Sequence, residues 1–223
     1  HVYLSPHFPP NYHNFCAHLR RLGVNVLGVA DEPYDALPPE LKDSLTEYYR
    51  VDDMHSYDQM LRACGHFTHL YGKIDRIDSH TEYWMESEAR LRTDFNVEGP
   101  KVTDLARIKR KSEMKRAFEE AGIAAPRGVV AHSIDDIWRL AEETGYPLVA
   151  KPDIGVGAAN TFKLTGPQDV EWFWSARPAV DYLVEEFIHG QILTFDGLTD
   201  RDGNPVFYTS ITYSQGVMET VVP

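Results

Sequence analysis

The feature that most limits what this chain can fold into is the alternation of strand and helix signals over its first hundred residues. Val2-Tyr3-Leu4-Ser5 is a short apolar run, followed by a proline-rich loop from Pro6 to Pro10. Tyr12, Phe15, Cys16 and Leu19 then fall at i, i+3, i+4 and i+7, the spacing of one helix face, and Gly23 is placed to end that helix. Asn25 to Val29 reads as a second strand and Tyr48 to Val51 as a third. Ser56 to Ala63 reads as a helix closed by Gly65, Phe67 to Tyr71 as a fourth strand, and Thr81 to Arg92 as another helix. Such alternation predicts a parallel sheet flanked by helices. The loop after the first strand, Ser5 to Pro10, contains no glycine, so its backbone cannot close on a pyrophosphate as in G-x-G-x-x-G. The expectation is a domain Rossmann-like in shape, without a nicotinamide site.

Gly99-Pro100 marks the expected boundary between a domain over 1–100 and a second over 101–223. Beyond it, Met114, Ala117, Phe118 and Ala121 make an amphipathic stripe ended by Gly122, with Pro126 following. Ser133 and Asp136 form a capping-box variant before a helix that Gly145 closes. Leu148-Val149-Ala150 reads as a strand, with Phe162-Lys163-Leu164 as an antiparallel neighbour. Pro167 to Trp174 reads as helix and Tyr182 to Glu185 as strand. Gln191 to Leu198 and Pro205 to Tyr213 are expected to form a hairpin around Asp200-Arg201-Asp202-Gly203-Asn204.

A net charge of −12 argues against a general nucleic-acid binder, which needs a surplus of Lys and Arg. No run of about 18 apolar residues is present, so no membrane-spanning helix is expected. Cys16 and Cys64 have no metal spacing and read as two buried thiols of a reducing, cytoplasmic compartment, with one disulfide as the alternative. The chain opens on His1 with a strand already under way, so residues are expected ahead of it.

Three segments carry chemistry. In Lys151-Pro152-Asp153-Ile154-Gly155-Val156-Gly157-Ala158-Ala159 a lysine ends a strand and a loop of small residues follows. Small residues let backbone N–H groups approach an anion, and the lysine adds a point charge, which together suit a polyphosphate. The bland alternative is a tight hairpin turn. Arg107-Ile108-Lys109-Arg110-Lys111 reads as a solvated helix face, as the source of a lysine aimed at phosphate, or as a basic patch for nucleic acid, which the acidic total disfavours. In Leu183-Val184-Glu185-Glu186-Phe187-Ile188 a strand runs into a connector whose backbone can pair with an adenine edge while its apolar side chains sandwich the ring. The alternative there is a strand end with solvated glutamates. His66 and His69 lie near the expected fourth strand, where i and i+3 point to opposite faces, so no metal site is expected there.

Taken in order, these segments resemble the ATP-grasp superfamily. Lys111, ten residues before Ala121-Gly122-Ile123 and then Pro126, resembles its opening pattern. Gly145 to Pro152 with the loop to Ala159 resembles its second lysine and phosphate loop. Val184 to Gly190 resembles its adenine hinge, and Phe195 to Leu198 the strand after it. The resemblance implies an α/β chain: a Rossmann-like pre-ATP-grasp domain followed by an incomplete ATP-grasp α+β domain. Lys111 and Lys151 would contact the ATP phosphates, with backbone from Gly155 through Gly157 and Ala158 to Ala159 lying over them. Glu185 would accept from the adenine amino group or lie beside it, and Glu186, Phe187 and Ile188 would form the hinge contacts. The implied chemistry is ligase chemistry with ATP and Mg2+, in which a carboxylate activated as an acylphosphate is attacked by an amine or another nucleophile.

Two alternatives share the site: a non-catalytic ATP/ADP-binding module, and an ATP-dependent carboxylase or carbamoyl-phosphate-type enzyme. The implied partners are a small-molecule carboxylate and an amine, with neither nucleic acid nor membrane, and the implied assembly is a homodimer. Ser5 to Tyr12 and Asp78 to Glu88 face the sheet end where substrate contacts are expected. Two departures stand out. Ile192 occupies the place of an acidic ribose ligand, with Gln191 before it. The magnesium ligands of the family lie beyond the hinge hairpin, so they are expected past Pro223, in a longer parent chain.

Overall fold

The computed structural model describes residues 1–155 and 158–216. It divides into two compact units, His1–Leu105 and Ala106–Pro223.

In the first unit, strands Val2–Leu4 (β1), Leu27–Ala30 (β2), Glu47–Arg50 (β3) and Ile77–Asp78 (β4) form one parallel sheet in the order β3-β2-β1-β4. Helices His13–Arg21 (α1), Pro39–Ser44 (α2), Tyr57–Tyr71 (α3) and Met85–Asp94 (α4) flank it. Successive strand residues point to opposite faces. Val2 and Leu4 therefore join one buried cluster with Met60 and Phe67 of α3. Tyr3 joins another with Cys16 of α1 and Leu41 of α2.

Gly65 does not end the third helix, and Phe67 to Tyr71 is not a strand. Helix α3 runs on to Tyr71 and stops at Gly72, whose φ of +81° suits a residue without a side chain. Met60, Ala63, Cys64 and Phe67 keep helical spacing straight through Gly65 and are all buried. A mid-helix glycine costs only about 1 kcal/mol, which burial of that stripe offsets. The fourth strand comes later, as two residues. His66 is consequently helical, and its Nε2 lies 2.5 Å from Glu47 Oε1 on the edge strand β3. The proline-led helix α2 had no sequence expectation.

Helix Leu105–Lys109 (α5) starts at the last residue of the first unit, and Lys111–Glu120 (α6) follows in the second. The second unit continues through Gly128–Val130 (β5), Ile134–Thr144 (α7), Leu148–Pro152 (β6), Phe162–Leu164 (β7), Pro167–Ala176 (α8) and Tyr182–Glu186 (β8). Strands β5-β8-β6-β7 make an antiparallel sheet. The capping box at Ser133 is formed, with Ser133 Oγ accepting from Asp136 N–H and the Asp136 carboxylate accepting from Ser133 N–H. Asp196–Thr199 (β9) and Pro205–Thr209 (β10) form a separate hairpin, shorter than the sequence suggests, with an isolated bridge between Leu193 and Thr212. Asp200 shapes its turn by accepting from the N–H groups of Asp202 and Asn204.

Candidate functional site

The four-stranded sheet has two unlike faces. Leu148, Ala150, Leu164, Tyr182 and Val184 point to one side and pack with Ile137 and Leu140 of α7 and Val170 and Phe173 of α8. The intervening residues belong to the other side, because residues paired across an antiparallel sheet share a face. Gly128, Glu185, Val149 and Lys163 lie in one row across β5, β8, β6 and β7. Lys151 pairs with Leu183 in the next row of that face.

Glu185 is the centre of this face. Only 3% of it is exposed. Its Oε1 lies 2.5 Å from the Lys115 ammonium, and its Oε2 is paired with Lys151. Lys115 also donates to the Pro126 carbonyl. The glutamate side chain lies across β5 at Gly128, where a Cβ would stand 2.7 Å from Glu185 Cγ.

Lys111 is fixed by a second cluster. Asp153, wholly buried, follows Lys151-Pro152 at the end of β6. Its carboxylate accepts from Ser112 N–H (2.8 Å), Ser112 Oγ (2.9 Å) and the Arg110 guanidinium (3.1 Å). Its backbone carbonyl accepts from Lys111 N–H at 2.9 Å. A carboxylate at a helix N-terminus satisfies N–H groups that have no partner within the helix and favours the helix dipole. Helix α6 therefore starts against the end of β6, and the Lys111 ammonium donates to the carbonyls of Pro152 and Gly155, both at 2.9 Å.

The hinge is tied to both neighbouring strand entries. Glu186 N–H donates to Arg127 carbonyl, and its carboxylate accepts from Arg127 N–H at 2.7 Å. That N–H, with smaller help from the Arg127 guanidinium, holds the Glu186 carboxyl below the usual range against an opposing effect of burial. Phe187 N–H donates to Pro147 carbonyl, and the Lys163 ammonium sits 4.2 Å from the centre of the Phe187 ring. Ile188 is exposed. Beyond it, Phe187, Ile188, His189, Gln191, Tyr213 and Gln215 line an open pocket of about 470 Å³. Ile192 lines the same pocket, and its carbonyl accepts from Tyr213 N–H.

Of the residues singled out from sequence, Lys111 and Lys151 lie at the end of β6, Glu185 lies in the next row of the same face, and Glu186 and Phe187 lie at the opposite end of the strand pair, beside Leu148 and Pro147. Gly155 and Ala158 have positive φ (+155° and +57°), and Ala159 follows in a turn. Gly157 and its neighbour Val156 lie outside the described residues. The Glu185 carboxylate is directed at two lysines. Sequence reasoning missed Lys115, Asp153, Ser112, Lys163 and Gly128. Lys115 carried a usable signal, since it lies at i+4 from Lys111 and shares its helix side. Asp153 carried none, because its partners are about forty positions earlier. Among the described residues no group of three or more His, Cys, Asp or Glu could hold a metal ion. Among them, too, no helix is long and apolar enough to cross a membrane.

A parallel α/β unit followed by an antiparallel sheet with one helix-covered face and one cation-bearing face defines an ATP-grasp fold, and the chain is similar in fold and sequence to ATP-grasp ligases. No protein-family model matches it. It is 29% identical over 126 residues to the carbamoyl phosphate synthase large chain of Bifidobacterium longum (strain DJO10A), a stretch covering 53% of this chain and 11% of that protein. It is 32% identical over 91 residues to an L-arginine-specific L-amino acid ligase of Bacillus subtilis, covering 41% of this chain and 22% of the relative. Among solved structures, N5-carboxyaminoimidazole synthetase from Staphylococcus aureus complexed with ADP superposes with a TM-score of 0.73 at 11% identity, over 97% of this chain and 55% of that one. The chain therefore spans a small part of these sequence relatives and about half of the structural one.

Proposed function

We propose that this chain binds ATP on the cation-bearing face of its antiparallel sheet, within a ligase that activates a carboxylate as an acylphosphate for attack by an amine. The observation that carries this reading is that the Lys111 ammonium is held by the Pro152 and Gly155 carbonyls at the end of β6, the strand whose Lys151 pairs with Glu185. Two ammonium groups from segments forty residues apart, beside a loop of small residues with positive φ, suit the phosphates of a nucleotide. Glu186 to Ile188 would offer backbone groups to the adenine, and Phe187 a ring face. Backbone from Gly155 through Gly157 to Ala159 would lie over the phosphates.

In the reaction, a carboxylate oxygen attacks the γ-phosphorus and ADP leaves. The amine then attacks the acyl carbon, and phosphate leaves with the bond electrons. The lysines of this chain would stabilise charge on the phosphoryl oxygens and orient them. The described residues do not fit a resident magnesium site, and no step is assigned to one. Magnesium enters this reading as the counter-ion of the nucleotide. The likeness to an L-amino acid ligase favours amino acids or other small carboxylates and amines as substrates, and the reading takes the enzyme as a cytoplasmic homodimer.

Isothermal titration with ATP tests the site. Lys111→Ala and Lys151→Ala in the full-length protein are each expected to weaken binding by at least tenfold. Wild-type affinity in both would remove the assignment. Ile192, in place of an acidic ribose ligand, favours the second reading of an ATP/ADP-binding module without ligase chemistry. Phosphate release that depends on added carboxylate and amine separates the two, and bicarbonate-dependent ADP release would point instead to the carboxylase type.

A further inference from the structure

Two ammonium groups share one carboxylate at Glu185, and they are differently placed. Lys115 is 13% exposed and is fastened a second time, to the Pro126 carbonyl. Lys151 is 31% exposed and reaches Glu185 from the strand that leads into the phosphate loop. If Lys151 is to contact a phosphate, it must give up Glu185. A carboxylate with 4% of its side chain exposed cannot be stranded without a counter-charge, since breaking a buried pair from one side is strongly unfavourable. Lys115 removes that obstacle, because Glu185 keeps an ion pair and Gly128 keeps the space its side chain occupies.

We infer that Lys115 is a positioning residue for nucleotide capture: it holds the charge of Glu185 so that Lys151 is free to move to the phosphates. This rests on the ATP-site reading above. Lys115 itself touches no phosphate in this scheme and acts only through Glu185. Its loss should therefore matter in proportion to the charge on Glu185. A lysine that only supports the fold would weaken binding whatever stood at position 185.

The test is a double-mutant cycle on the full-length protein, with ATP as the probe in isothermal titration and circular dichroism to establish folding. Lys115→Met should weaken ATP binding by about tenfold or more. Lys115→Arg should return it to within about threefold of wild type, because a guanidinium keeps the pair. Against a Glu185→Gln background, adding Lys115→Met should change affinity by less than about twofold, because no buried carboxylate then needs a partner when Lys151 leaves. That last comparison does not use the Lys115→Met single variant and stands even if that variant alone does not fold. An equal loss in both backgrounds, or wild-type affinity in Lys115→Met, overturns the inference while leaving the ATP site intact. A wild-type protein that binds no ATP overturns the site, and the inference with it.

Discussion

A methyl group at position 128 would stand 2.7 Å from both Glu185 Cγ and the Val184 carbonyl oxygen. Neither can retreat, since Val184 lies in the core and Glu185 is held at both oxygens. Gly128→Ala is expected to cost about 1–3 kcal/mol through overpacking, read as a lower midpoint in urea. An unchanged midpoint would mean that β5 shifts freely. The two cysteines make a different point. Burial pushes the thiols of Cys16 and Cys64 up to about 12, and thiolate is the reactive form. Ellman's reagent should label neither until the protein is denatured, and rapid labelling of the native protein would contradict their placement. Single residues were unevenly legible. Lys111 and Lys151 announced themselves through ordered motifs, whereas Gly128 looked like any glycine because the side chain it makes room for is 57 positions away.

Individual elements depend on a few end groups. Helix α6 begins where it does because the Asp153 carboxylate accepts from Ser112 and Arg110. Asp153→Asn should lower stability by about 2 kcal/mol, less than a fully buried pair because Arg110 is partly exposed. It should also weaken ATP binding, because Lys111 loses its fixed start. Wild-type affinity in that variant would show that α6 is positioned by other contacts. Helix α7 has a pH-dependent cap. The Ser133 N–H and then its hydroxyl hold the Asp136 carboxyl below its usual range. A depressed folded-state value gives stability that is present above the unfolded carboxylate value of about 4 and lost as pH falls through the folded one. The melting temperature of Asp136→Asn should therefore fall short of wild type near neutral pH, and the gap should close in acid. A gap independent of pH would rule out the charge as its cause. The capping box was legible because it is local. The length of α3 was not, because Gly65 reads as a stop unless the stripe from Met60 to Phe67 is followed through it.

For the molecule as a whole, the class of fold was legible and the pairing was not. Alternating helix and strand signals imply a parallel sheet, and the first unit has one. Nothing local implies that β8 lies between β5 and β6, or that a three-residue Gly-Val-Val segment forms an edge strand. Those contacts are long-range, and they carry the site, because Glu185 meets Lys115 and Lys151 only through them. The charge of −12 does not argue against such a site. A strongly acidic chain can still gather three lysines on one face, since net charge governs long-range fields while the contact is decided within a few ångströms.

The tie between Lys111 and Asp153 closes the intervening 41 residues into a loop with both ends clamped. Such a loop isolates its ends from changes in its own length. Extra residues in the turn after Gly122 or beside Gly145 would lengthen the excursion through β5 and α7 without moving either lysine, and loop closure adds little cost per residue. Descendants of this sequence could therefore gain or lose material there and still present the same pair of charges, which makes that stretch the natural place to graft a reporter peptide or a new recognition surface.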